Sequence, residues 1–169
     1  MTRHAPAFGL AIALAILTGC SASQHAMKGS AEPMTTAATH HAEGPFDVNI
    51  TPTADEGTPG RMMLDKTYHG DMTGEATGQM LTAMTDVRGS AGYVAIERFE
   101  GTLHGKRGAF SLQHNGVMTR GEPSLTVTVV PDSATDELAG LRGMMAIDIR
   151  EGGAHFYTLD YWFEAPPAQ

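Results

Sequence analysis

AGYVAIERFEGTLHGKRGAFSLQHNG, residues Ala91 to Gly116, decides how the chain folds. It reads as two extended runs rich in β-branched and aromatic residues, joined at Gly105-Lys106. Gly at the first position of a two-residue loop suits a type II′ turn, because it takes φ > 0 without steric cost. With that loop His104 faces Arg107 and the register of the hairpin follows. Glu97 then lies directly across from His114, Phe99 from Leu112, Gly101 from Phe110, Ala95 from Gly116 and Tyr93 from Met118. Side chains alternate with period two, so these pairs share one face and Arg98–Gln113 and Ile96–Asn115 share the wetter one. An acid and an imidazole thus oppose each other on a mostly apolar face, beside Ala95 and Gly116, which leave room.

Outward from the hairpin, short runs alternate with turn residues. Strands are expected at Phe46–Thr51, Arg61–His69, Thr73–Met84, Ala91–His104, Ala109–Thr119, Ser124–Val130, Gly143–Arg150 and Ala154–Glu164. In the last of these Tyr157, Leu159, Tyr161 and Phe163 form one face. In Arg61–His69 the apolar phase is Met62, Leu64, Lys66, Tyr68. Lys66 is a charge among apolar neighbours. It is either an inside partner for Glu97 or a lysine that snorkels out at the strand end. The one irregular connection, Pro131 to Gly140, has Ser133 or Thr135 to cap a single helical turn containing Leu138. No segment carries a sustained helical stripe. Eight strands with short connections predict an all-β fold, a small antiparallel eight-stranded barrel, with a sandwich as the alternative.

The N-terminal part reads differently. Arg3 precedes an apolar run from Ala5 to Leu17, too short to span a bilayer and right for a secretory leader. It ends in Leu17-Thr18-Gly19-Cys20, which resembles the bacterial lipobox on the chain's one cysteine. The resemblance implies cleavage before Cys20, acylation of Cys20 and a membrane anchor; Ser21 after it favours the outer membrane, on its periplasmic face. Residues 21–44 are polar and without period, a flexible tether that cannot bury enough surface to offset its ordering entropy. His25, His40, His41, Met27 and Met34 fall in it, soft and borderline ligands that suit copper, but with no repeated spacing. The expected organisation is a signal peptide at 1–19, acylated Cys20 and linker at 20–44, a barrel at 45–165 and a tail at 166–169. The barrel's roughly 120 residues are enough to bury about two-thirds of their unfolded surface.

The net charge of −8, with no basic run, excludes a nucleic-acid partner on the usual phosphate-binding grounds. A single cysteine excludes an internal disulfide. No Ser-His-Asp order, phosphate loop or HExxH is present, and no metal or cofactor is expected. His69 and Asp71 flank Gly70 in what reads as an Asx-type turn. His155, beside Gly152-Gly153, reads as surface.

Lys66-Thr67-Tyr68-His69-Gly70-Asp71, Gly92-Tyr93-Val94-Ala95-Ile96-Glu97-Arg98, Gly108-Ala109-Phe110-Ser111-Leu112-Gln113-His114, Val129-Val130-Pro131, Glu137-Leu138-Ala139-Gly140-Leu141 and Tyr157-Thr158-Leu159-Asp160-Tyr161 together resemble the bacterial domain-of-unknown-function family numbered 3224. The resemblance covers Phe46 to Glu164. It implies a barrel of the allene oxide cyclase type and no established activity, since a shared barrel does not transmit a reaction.

Three readings follow. In the first, the barrel binds a small, largely apolar molecule in the cell envelope, with Glu97 and His114 fixing its polar end and Tyr93, Lys66 and Tyr68 contributing to the site. In the second, an isomerase or cyclase uses Glu97 and His114 as an acid/base couple, burial raising the Glu97 pKa and pairing offsetting the rise. In the third, the pair is a structural contact across two strands in a filled barrel.

Overall fold

The computed structural model describes residues 39–53 and 59–165. Eight antiparallel strands close in sequence order: β1 (His40–Pro52), β2 (Gly60–Tyr68), β3 (Met72–Met84), β4 (Ala91–Leu103), β5 (Lys106–Thr119), β6 (Glu122–Val129), β7 (Leu141–Ile149) and β8 (His155–Phe163). The period-two patterns sort the faces as expected. Leu64, Lys66 and Tyr68 of β2 and Tyr157, Leu159 and Tyr161 of β8 are buried inside. The sandwich is therefore excluded. The first strand begins at His40, so His40 to Gly44, assigned from sequence to the tether, are strand paired with Tyr157 to Tyr161 of β8. Backbone pairing along a closing strand outweighs the polar composition that made these residues read as linker. Cys20, His25, Met27 and Met34 lie outside the described residues.

The central hairpin turns one residue earlier than its glycine suggested. Leu103 pairs with Lys106, and the two loop residues are His104 (φ 48°) and Gly105 (φ 79°). Two successive positive φ values are the signature of a type I′ turn, whose twist matches that of the flanking strands. Histidine is among the residues that tolerate this region. His104 is also held there: its N–H donates to Asp71 O at 2.8 Å, and its Nδ1 lies 2.7 Å from Tyr161 Oη. The register consequently slips by two, with Glu97 opposite Leu112, His114 opposite Ala95, Phe99 opposite Phe110 and Tyr93 opposite Gly116. A slip of two preserves the faces, so Glu97 and His114 remain on the same inner wall as diagonal neighbours.

The barrel is plugged at one end and open at the other. The plugged end carries the β2–β3 and β4–β5 turns and the start of β1. Phe99, Phe110, Met72, Leu103, Leu141 and Leu159 fill it, with Phe99 and Phe110 ring centroids 5.0 Å apart. The irregular β6–β7 connection closes it, with the 3₁₀ turn Asp136–Leu138 placing Leu138 in the core. Thr135 stands at the N-cap of that turn, but the hydroxyls of Ser133 and Thr135 make no capping bond to it. They accept hydrogen bonds from Ser111 N–H (3.0 Å) and Ala109 N–H (3.2 Å), amides on the stretch of β5 that precedes its pairing with β6. Satisfying an exposed strand edge takes precedence over capping three residues of 3₁₀ helix. The ladder between β6 and β7 is short, consisting of Val127–Met145 and Thr128–Met144.

Candidate functional site

Four ionisable or hydroxyl side chains meet halfway along the interior. Glu97 comes from β4, Lys66 and Tyr68 from β2, and His114 from β5. Exposures of 1% for Glu97, 6% for Lys66 and 3% for His114 mean that each must be neutralised or hydrogen-bonded from within the protein. Lys66 Nζ lies 2.6 Å from Glu97 Oε2, an ion pair without hydrogen-bond alignment. Tyr68 donates to Glu97 Oε1 at 2.7 Å and accepts from Lys66 Nζ at 3.4 Å. Lys66 Nζ also sits over the Phe46 ring, 5.1 Å from its centroid.

The Lys66–Glu97 pair spans β3, and β3 is built to let it through. Ala76 lies opposite Lys66 and Gly78 opposite Glu97. A Cβ at Gly78 would fall 2.7 Å from Glu97 Cβ and 2.5 Å from Ile96 O, so a side chain there would displace the carboxylate. Of the two readings open for Lys66, the inside partner is the one realised.

His114 Nε2 is 3.6 Å from Glu97 Oε1, beyond a hydrogen bond. Among the described residues, Glu97 Oε2 and His114 Nε2 are the buried side-chain polar atoms without a hydrogen bond. Burial pushes the Glu97 carboxyl up, but His114 and the Lys66 ammonium beside it outweigh burial and hold it at about 2. The expected neutral-range acid/base couple is thus replaced by a carboxylate that stays ionised, a poor proton carrier near neutrality. His114 leads that lowering, and Lys66, one of whose two sequence readings was an inside partner for Glu97, adds to it. Tyr68 is pushed well above its usual value by burial and by the Glu97 charge, so it remains a donor.

Above this cluster lies a cavity of about 410 Å³ that opens at the mouth. Phe46, Val48, Leu64, Met80 and Ile147 supply apolar wall, and Lys66, His114 and Tyr93 also line it. Glu97 and Tyr68 are not in the wall; they stand behind Lys66 and His114. The room attributed from sequence to Gly116 is occupied: a Cβ there would lie 2.1 Å from Tyr93 Cε1, so the tyrosine ring lies flat across the glycine. Tyr93 is half-buried, and burial followed by the Glu97 charge raises its pKa.

His155, read as surface, is partly buried in the cavity wall, with its ring 5.2 Å from that of Phe46. Its phase on β8, two residues before inward-facing Tyr157, carried that information. His69 and Asp71 also depart from the expected Asx turn. His69 Nε2 pairs with Asp47 at 3.1 Å, and Asp71 accepts from Glu43 N–H at 3.0 Å, pinning β1 to the β2–β3 turn. His41 binds Asp160 on β8 through Nδ1 at 2.7 Å. Among the described residues, no group of three or more His, Cys, Asp or Glu side chains is placed to hold a metal ion.

The sequence model of a family of proteins of unknown function, DUF3224, matches residues 42–161. A crystal structure of a DUF3224 protein of unknown function from Shewanella oneidensis MR-1 is similar, at 47% identity and a TM-score of 0.72 over 78% of this chain and 100% of that one. No curated protein sequence matches. With the family match spanning the barrel from β1 into β8, and a solved relative sharing both sequence and fold, the chain belongs to the DUF3224 family.

Proposed function

We propose that the barrel is a binding module for a small, largely apolar molecule. The observation that carries this reading is the half-filled interior: large side chains pack the plugged end, while the other half keeps a cavity of about 410 Å³ with an apolar wall. A barrel serving only as a rigid body would gain dispersion energy by filling that space. The cavity is open on one side, and Leu125 and Ile147, beside the short β6–β7 ladder, both line it.

The neutral dye N-phenyl-1-naphthylamine tests the reading on the full chain carrying Cys20→Ser. It is expected to bind at one site with micromolar affinity and enhanced fluorescence. Met80→Trp, which puts an indole into the cavity, is expected to abolish the enhancement while the far-ultraviolet spectrum stays unchanged. No binding by the parent chain, or equal binding by the filled variant, would sink the proposal.

We further propose that the leader ending at Cys20 makes the protein a lipid-anchored resident of the cell envelope. What supports this is the apolar run with its lipobox-like end. Labelled palmitate is expected to enter the protein in a bacterial host and to be lost in Cys20→Ser; labelling that persists in the variant would refute it.

A further inference from the structure

We infer that Met84 and Met118, at the mouth of the cavity, form a reversible oxidation site that sets how tightly the barrel holds an apolar molecule. The inference rests on the binding reading above and adds the regulation of that site.

Met80 and Met84 from β3 and Met118 from β5 line the cavity. Met84 and Met118 both pair with Ala91, the first residue of β4, one from each side. No side chain larger than a methyl group therefore stands between them. Across the mouth the wall is aliphatic, with Ile50 of β1, Leu125 of β6 and Ile149 of β7. Branched hydrocarbon serves there, and the sulfur is confined to the β3–β5 side.

Exposure sorts these thioethers from the rest. Met84 is 80% exposed and Met118 42%, whereas Met72 and Met145 in the packed interior are 0% and 5%. Access decides which sulfurs an oxidant reaches. With hydrogen peroxide the sulfur lone pair attacks one peroxide oxygen, the O–O bond breaks, an S–O bond forms and water leaves. The sulfur loses two electrons and the peroxide gains them. The product is a sulfoxide, which dedicated reductases return to the thioether.

Sulfoxidation turns a flexible apolar end into a strongly polar one. In the empty barrel, water solvates the new oxygen. An apolar occupant reaching the mouth would displace that water and has no donor to give in return, the penalty for burying an unpaired polar group. The converse also holds, because an occupant that covers the thioethers shields them from the oxidant. Met63 and Met144, exposed but absent from the cavity wall, supply an internal control.

The test treats the full chain carrying Cys20→Ser with hydrogen peroxide, removes the peroxide with catalase and measures N-phenyl-1-naphthylamine binding before and after. Peptide mass mapping is expected to place the added oxygen on Met84 and Met118 while Met72 and Met145 stay unmodified. Dye affinity is expected to fall at least fivefold and to return on treatment with the two methionine sulfoxide reductases, one for each epimer. Met84→Leu with Met118→Leu, an exchange of similar volume that keeps Met63 and Met144, is expected to change less than twofold from its own untreated state. Dye held at saturation during oxidation is expected to slow modification of Met118 at least threefold and to leave Met144 at its free rate. Oxidation of Met84 and Met118 with unchanged affinity would overturn the inference, as would an equal loss in the double variant or a loss that the reductases do not reverse. Should the double variant fail to fold, the protection of Met118 relative to Met144 decides. Absence of dye binding before any treatment would instead sink the binding reading, and this inference with it.

Discussion

Glu97→Gln is expected to cost the barrel about 3–5 kcal/mol, the penalty for stranding a buried charge. The amide removes the negative partner that lies 2.6 Å from Lys66 Nζ, and the lysine is only 6% exposed. Tyr68 and His114 lose their common anion in the same step. Denaturant titration of parent and variant measures the difference. The paired replacement Lys66→Met with Glu97→Leu should recover most of the loss, because apolar groups of similar volume need no counter-charge. A loss below about 1 kcal/mol for Glu97→Gln would mean that the pair is solvated in solution.

The same pair fixes a pH dependence. The folded-state pKa of Glu97 lies below its ordinary value of 4.5, at about 2, so the unfolded chain binds the proton more readily. The stabilisation is therefore complete above pH 4.5 and is lost as pH falls towards 2. The doubly substituted chain should lack this component, so acidification from neutral pH to pH 3 is expected to shift relative stability in favour of the double variant. A constant difference would contradict the assignment.

Phe99→Ala carries the second large effect, about 3–5 kcal/mol, and it discriminates between the two halves of the barrel. Phe99 is fully buried against Phe110 and Tyr68, in packing that cannot collapse around a missing ring. Met80→Ala, in the wall of a space that is already empty, should cost only about 1 kcal/mol. Thermal or denaturant unfolding of the two variants reads the contrast. Equal costs would mean that the open half is closed and packed in solution.

Much of this architecture is legible in the chain because a closed barrel is written with period two. Leu64-Asp65-Lys66-Thr67-Tyr68 and Tyr157-Thr158-Leu159-Asp160-Tyr161 state which side chains point inward, and eight such runs with short turns leave few alternatives to closure. The inward placement of Glu97, His114 and Tyr68 follows from that alternation, whereas for Lys66 it left the inside partner and the snorkelling lysine both open. It survived an error in the hairpin turn because a two-residue slip leaves parity unchanged.

Other features depend on contacts between residues distant in sequence. The turn formed at His104-Gly105 because Asp71 and Tyr161, brought from the β2–β3 turn and β8, hold His104 in a left-handed conformation. Gly116 reads as empty space until Tyr93 is laid across it. His40 and His41 read as tether until β8 pairs with them. The charge of Glu97 is held by His114 and by Lys66 reaching across Ala76 and Gly78, and its place behind the cavity wall depends on which side chains stand in front of it. Alternation is a local property of the backbone and determines the face of each residue. Partner, charge state and open space arise only when strands far apart in the chain come into register.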